Sequence, residues 1–474
     1  MDRMIPRRRF LFLYLIAAAI GVLGSMIVFS RPHSRFDFLT VASFLLNIAL
    51  FYQRYIRSVY RRAFSIDMMY WLFALFFFGI APLLQFVTGI YAWNLQPTAG
   101  EVLRTNIYIF LWSAFYIFGQ TVRFFPGVKL RTGLRPRKPQ TEVVYEIHTT
   151  RKYIVLAGAL VITAYFMYKI GFRNMFSRHT AVVPGLSQTM ELLVTHGFKN
   201  FVLFCTAFFI MDAKRKKKIS AGVMLALLCM LLSCFPLSIA RNMMASFYAG
   251  LMILTLDQTR HGRWFALIIL GGLVLVFPAV EIFRRAGNVT SFSDIGPMML
   301  ESMQATYLQG HYDAHQMFIS IQRYVEQAGF SWGHQLLGCI FFFVPRSIWP
   351  DKPYGTGQTA FEWLKQHSFT NVSAPLVSEA YVNFGVIGIV VFAVLLGKTV
   401  KLLDDRYWHS DNELSWIRVI YPSAIFMLFF MQRGDLMSSG AYTCAQVVVG
   451  TVLHWFIVQK RPQHIASGGA EDPS

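Results

Sequence analysis

An all-α, polytopic membrane protein is the fold class this sequence predicts, and three observations predict it. Apolar residues make up 55% of the chain and charged residues only 14%, against roughly 25% charged in ordinary soluble domains. Apolar runs of roughly 17 to 23 residues recur, long enough for a helix rising about 1.5 Å per residue to cross about 30 Å of hydrocarbon. Basic residues fall in short blocks between these runs instead of spreading over one face. Alternating patterning of the kind a membrane barrel needs is absent.

The stretches that qualify are 10–29, 36–52, 66–86, 102–120, 153–170, 198–211, 219–239, 243–256, 264–283, 376–397, 414–431 and 436–458, so about twelve spans are expected. The first follows Arg7, Arg8 and Arg9. It exceeds the signal-peptide core of about 7 to 15 residues and lacks a small-residue cleavage site, so it reads as an uncleaved anchor. Every second connection is basic: Arg54, Arg57, Arg61 and Arg62; then Arg123, Lys129, Arg131 and Arg135; then the run 214–218; then Lys398, Lys401 and Arg406; finally Lys460 and Arg461. That alternation predicts cytoplasmic sides, an even number of spans and both termini in the cytoplasm. The formal charge of +20 is therefore a topology signal, and no nucleic-acid partner is expected.

The expected organisation is a membrane domain over 1–283, one large outer loop over 284–375, further spans over 376–458 and a tail over 459–474. Such a loop far exceeds ordinary connections. Inside it, 336–344 is apolar but too short to cross, and counting it as a span would reverse the sidedness of everything after it; a re-entrant or interfacial segment is expected. Residues 297–308 place Met298, Met299, Ser302, Met303, Thr306 and Tyr307 at helical spacing, the pattern of an amphipathic surface helix. Cys205, Cys229, Cys234, Cys339 and Cys444 lie in apolar stretches without CxxC spacing, as structural thiols do.

Ionisable residues beside apolar runs are costly to insert, which makes them the first candidates for chemistry. Arg241 follows the outer turn at Pro236, where it either snorkels or faces a substrate. Arg433-Gly434-Asp435 is an equally tight outer turn, whose arginine and aspartate pair to close a hairpin or take part in a site. Glu281, Arg284 and Arg285 stand at the mouth of the loop, as solvated charges or as one wall of an anion site. His311 and His315 share a helical face while Asp313 points about 200° away, so a zinc site is not expected. Asp313 aligns instead with Met317, Ser320 and Tyr324, a half-apolar face on which a carboxylate is an acid/base candidate.

The most distinctive passage runs from Phe342 through Pro345, Arg346, Trp349, Pro350, Lys352 and Pro353 to Gly355 and Gly357. Prolines stiffen this turn and an interfacial tryptophan anchors it. A guanidinium and an ammonium held there suit phosphate oxygens, or simply anchor the loop. Glu379 stands at the entry to the next span, either as a helix-start carboxylate or at the mouth of a cavity.

On the residues Pro345-Arg346-Ser-Ile-Trp349-Pro350-Asp-Lys352-Pro353, Glu379-Ala-Tyr381-Val-Asn383-Phe-Gly385, the 236–241 turn, Gly310-His-Tyr-Asp313 and Arg433-Gly434-Asp435, the chain resembles the bacterial O-antigen polymerases, the Wzy-type oligosaccharide repeat-unit polymerases. The resemblance implies a metal-independent, C-type glycosyltransferase-like membrane fold in the bacterial inner membrane. Its implied substrates are undecaprenyl-pyrophosphate-linked oligosaccharides, joined on the periplasmic face into O-antigen, capsule or exopolysaccharide. It implies no cofactor and no metal, a lipid-bilayer setting, and a chain-length regulator and a flippase as partners. Carried onto this sequence, Arg241, Arg285, Arg346, Lys352 and Arg433 surround the pyrophosphate, and Asp313 or Glu379 acts as base. The rivals are a flippase or transporter of the same lipid-linked sugars, which would favour internal repeats and mid-membrane charges, and an O-antigen ligase differing in acceptor.

Overall fold

The computed structural model describes residues 37–62, 64–122, 141–176, 188–236, 238–256, 258–276, 301–302, 305–308, 310–365 and 372–464. The expected span 10–29, the site candidate Arg285 with its neighbours Glu281 and Arg284, and part of 297–308 lie outside these residues.

Among the described residues the chain is a helical membrane protein. Every expected apolar stretch from 36 onward coincides in whole or part with a helix. Phe38–Arg61, Ile66–Thr88, Ala99–Thr121, Thr149–Ile170, Leu376–Trp408 and Leu436–Ile457 are long and apolar enough to cross a bilayer. Ala221–Ser233, at 13 residues, is shorter than the roughly 20 a crossing needs. Capping fixes several of the helix starts. Asp37 accepts from Thr40 N at 2.8 Å and Ser65 Oγ from Met68 N at 3.0 Å. Thr98 and Glu101 satisfy each other's backbone N–H groups, at 2.7 Å and 3.3 Å, in a capping box.

The chain divides into two compact units. The first comprises 1–120, 257–404 and 428–441. Within it Ala99–Thr121 and Leu376–Trp408 approach so closely that a Cβ at Gly397 would collide with the Tyr116 carbonyl, and one at Gly119 with that of Val394. Small residues permit this approach between membrane helices, where close packing must do what hydrophobic exclusion does in water. At one end of the pair, Asp404 accepts from Ile66 N at 3.0 Å and Asp67 N at 3.3 Å. Asp67 in turn accepts from Trp71 Nε1, Tyr116 OH and Gln120 Nε2. Leu376–Trp408 is not straight: Phe384 leaves helical geometry and Gly385 takes φ 61°, a value only glycine reaches without strain.

The segment expected to form the large loop contributes a helix, Ala314–Ala328, to the core of this unit. Its residues from Ala314 through Gln322 are all buried. Hydropathy separates this helix from the spans because it carries polar residues, some of which the neighbouring span meets: Gln322 Nε2 donates to Thr105 Oγ1 at 2.8 Å and Arg323 Nε to Glu101 at 2.6 Å, while Gln316 Oε1, Gln322 Oε1 and His315 Nδ1 have no hydrogen-bond partner among the described residues. The segment after it, with the short helix His334–Ile340, leaves Leu337, Ile340, Phe341, Phe343 and Ile348 exposed.

The second unit comprises 121–256, 405–427 and 442–474, with a core that includes Phe166, Phe204, Phe208, Cys229 and Met230. It departs from the all-helical expectation in one place. Strand β1, Thr141–Ile147, pairs antiparallel with β2, Val458–His464, with Tyr145 opposite Lys460. The first strand, with Val143, Val144 and Tyr145 between Glu142 and Glu146, is a single short stretch rich in β-branched and aromatic residues, too brief to register beside the long apolar runs, and its partner lies in what composition reads as the start of a tail.

Candidate functional site

Three of the expected site elements meet in the first unit: the proline-rich turn, the entry of the helix carrying Glu379, and the turn 433–435. Leu376–Trp408 starts at Pro375, whose carbonyl accepts from Ser378 N at 2.7 Å, and its first turns bury Glu379 to 1% exposure. Glu379 Oε2 accepts from Thr356 Oγ1 at 2.7 Å and Oε1 from Leu436 N at 3.0 Å. Among the described residues no cation pairs with this carboxylate. Asp435 caps the next helix, accepting from Met437 N at 2.9 Å and Ser438 N at 3.3 Å. A Cβ at Gly355 would stand 2.8 Å from Asp435 Cγ, so a glycine is what lets the proline-rich turn close against the 433–435 turn.

Arg433 and Asp435 do not pair with each other, so the simple hairpin closure expected for this turn is not its chemistry. Asp435 is committed to the cap. Arg433 instead reaches Asp313: its Nε and Nη2 donate to Oδ1 at 3.2 Å and 3.0 Å, and Nη2 also to the Gly310 carbonyl at 2.9 Å. Asp313 is fully buried. It precedes the helix Ala314–Ala328 instead of lying on its face, so the helical alignment with Ser320 and Tyr324 is replaced by an ion pair. Its other oxygen, Oδ2, accepts from Trp93 Nε1 at 3.0 Å. Both oxygens of Asp313 are thus occupied, one by a guanidinium.

Trp93 is a site neighbour that sequence reasoning missed. It lies in a short turn, Ala92–Asn94, with φ 58° and ψ 26°, left-handed geometry that costs a non-glycine residue roughly 1 to 2 kcal/mol. The indole packs over Gly310, where a Cβ would stand 2.9 Å from Cζ2. One aromatic between two spans is indistinguishable in sequence from an interfacial anchor.

Arg346 and Lys352 stitch their own turn. Arg346 donates through Nη1 to the Lys352 carbonyl and through Nη2 to that of Pro353, and its guanidinium lies 3.9 Å from the centroid of the Tyr354 ring. Lys352 Nζ donates to the carbonyls of Phe342 at 2.5 Å and Val344 at 3.1 Å. Among the described residues neither cation is paired with a carboxylate. Burial, and after it the charge of Arg346, hold the Lys352 ammonium below its ordinary pKa. Two neighbouring cations without a counter-ion favour an anion between or beside them. Arg241 belongs to the second unit, where it opens the short helix Arg241–Met244.

His315, one residue into the buried loop helix, has Nε2 at 3.0 Å from Asn106 Oδ1. Asn106 uses its amide Nδ2 on Ser43, which leaves Oδ1 as acceptor and puts the proton on His315 Nε2. Burial lowers its pKa to about 3, far below the roughly 6.5 of an unfolded histidine. The unfolded chain therefore binds the proton first. Stability attributable to this group is intact above about pH 6.5 and falls by about 1.4 kcal/mol per pH unit as pH drops from there towards 3. Thermal unfolding of detergent-solubilised protein should show this acid slope, and His315→Gln should flatten it. Among the described residues no three His, Cys, Asp or Glu side chains gather as a metal site.

Comparison with family models, with curated proteins and with solved structures finds no match for the chain.

Proposed function

We propose that the chain is a glycosyltransferase of the O-antigen polymerase kind, elongating undecaprenyl-pyrophosphate-linked repeat units on the periplasmic face of a bacterial inner membrane. The observation that carries this reading is the association of a cation turn, Arg346 and Lys352, with Glu379, a buried carboxylate; among the described residues the cations have no counter-ion and the carboxylate no cation. In the proposed reaction an acceptor hydroxyl of the incoming unit forms a bond to the anomeric carbon of the growing glycan. The bond from that carbon to the lipid pyrophosphate breaks, the hydroxyl proton passes to Glu379, and the cations hold the charge that develops on the departing pyrophosphate. Asp313, held by the Arg433 guanidinium and the Trp93 indole, then serves to orient Arg433, and Glu379, whose hydrogen-bond donors are neutral, is the favoured base.

Arg241 and Arg285 stay in this proposal as further pyrophosphate ligands, on the strength of the sequence resemblance. So do the arrangement of about twelve spans with both termini cytoplasmic, and the association with a flippase and a chain-length regulator. Purified protein in liposomes, supplied with lipid-linked repeat units, tests the reaction. Products longer than one unit support it. Translocation without elongation identifies a flippase, and transfer of finished chains only to lipid A core identifies a ligase.

A further inference from the structure

The second unit carries a concentration of cations that the proposed reaction does not use. The helix Gln188–Lys216 ends in the run 214–218, all of it exposed. The ribbon of β1 and β2 and the start of Thr149–Ile170 bring further cations to the same place. Arg215 Nη1 donates to the Tyr145 carbonyl at 3.1 Å, Lys460 Nζ lies 5.8 Å from the centroid of the Tyr145 ring, and Arg151 Nη1 donates to the Phe456 carbonyl at 3.2 Å. Asp212, a carboxylate on the same helix, is consumed by Lys152 at 2.5 Å and Lys216 at 3.0 Å.

Lys217 and Lys218 are different. Their side chains are exposed and take no partner among the described residues. Their backbone N–H groups close the helix end, bonding the carbonyls of Lys214 at 3.4 Å and Ala213 at 3.1 Å, which blunts the negative pole an anion would otherwise meet. Apolar side chains stand exposed alongside: Ile219 at 73%, Met224 at 62% and Ile154 at 56%. Within this one unit, exposed hydrocarbon thus gives way directly to the Lys217 and Lys218 ammonium groups, which have no counter-ion among the described residues, the sequence of chemistries met on passing from acyl chains to headgroups.

We propose that the basic shelf formed by 214–218, Arg151 and Lys460 binds the headgroup of an anionic glycerophospholipid, with Lys217 and Lys218 as its free contacts. This rests on the second unit alone and stands or falls independently of the polymerase reading. The test uses full-length protein in nanodiscs of phosphatidylcholine, with and without an equal part of phosphatidylglycerol. Lipid retained on release into the gas phase is read by native mass spectrometry, and the unfolding midpoint is read in parallel. Wild type should retain phosphatidylglycerol preferentially, gain a higher midpoint from it and lose both in high salt. Paired Lys217→Gln and Lys218→Gln substitutions should weaken retention roughly fivefold per lysine, while Lys217→Arg with Lys218→Arg should preserve it. Equal retention of the two lipids by wild type overturns the proposal without reference to any variant. So does undiminished retention by the glutamine variant. A midpoint shift of the same size from inorganic phosphate, in discs of phosphatidylcholine alone, would assign the shelf to a free anion instead.

Discussion

Asp313→Ala is expected to destabilise the first unit by about 3 to 5 kcal/mol, the range for breaking a buried ion pair from one side. The carboxylate is fully buried and the Arg433 side chain 28% exposed, so little solvent is at hand to replace the lost partner. Truncation strands the guanidinium and also leaves Trp93 Nε1 without its acceptor. Combining Asp313→Ala with Arg433→Met should recover part of the loss, because no uncompensated charge is then left behind. Unfolding of the purified single and double variants in one detergent measures both. An Asp313→Ala protein as stable as wild type would mean that the pair contributes nothing to the fold. Under the proposed function, the folded fraction of this variant should elongate more slowly but measurably, because Arg433 loses the partner that orients it. Full folding with complete loss of elongation would return the role of base to Asp313.

Arg346→Ala, at normal membrane abundance, is expected to abolish long chains while single repeat units persist. The guanidinium does two things at once: it is a cation without an acidic partner among the described residues, and it ties together the carbonyls of Lys352 and Pro353 while lying against Tyr354. Alanine removes the charge and unfastens the turn. Arg346→Lys keeps the charge but cannot reproduce a planar fork serving two carbonyls, so it should restore only short products. An unfolding midpoint near wild type for both variants localises the damage to the turn. Undiminished long chains from Arg346→Ala would remove this turn from the site and with it the main support for the polymerase reading.

Composition and hydropathy were enough to determine that this is a helical membrane protein and roughly where its helices lie, because bilayer thickness converts directly into run length and an unpaired backbone is excluded from hydrocarbon. They also picked out residues that the fold gathers, Asp313 and Arg433 in one pair, and Glu379 beside the turn that begins at Pro345, because charges beside apolar runs are rare and costly. The partners of those charges were decided only by tertiary structure. Nothing in the spacing of Arg433 and Asp435 says that the arginine ignores its neighbour for an aspartate 120 positions away, or that Trp93, in a strained turn between spans, completes that contact. The burial of Ala314–Ala328 was hidden for a related reason. His315, Gln322 and Arg323 each find a partner on the helix Ala99–Thr121, so a hydropathy sum, which prices each residue as if it were alone, assigns to the outer loop a helix that the folded protein keeps in its core.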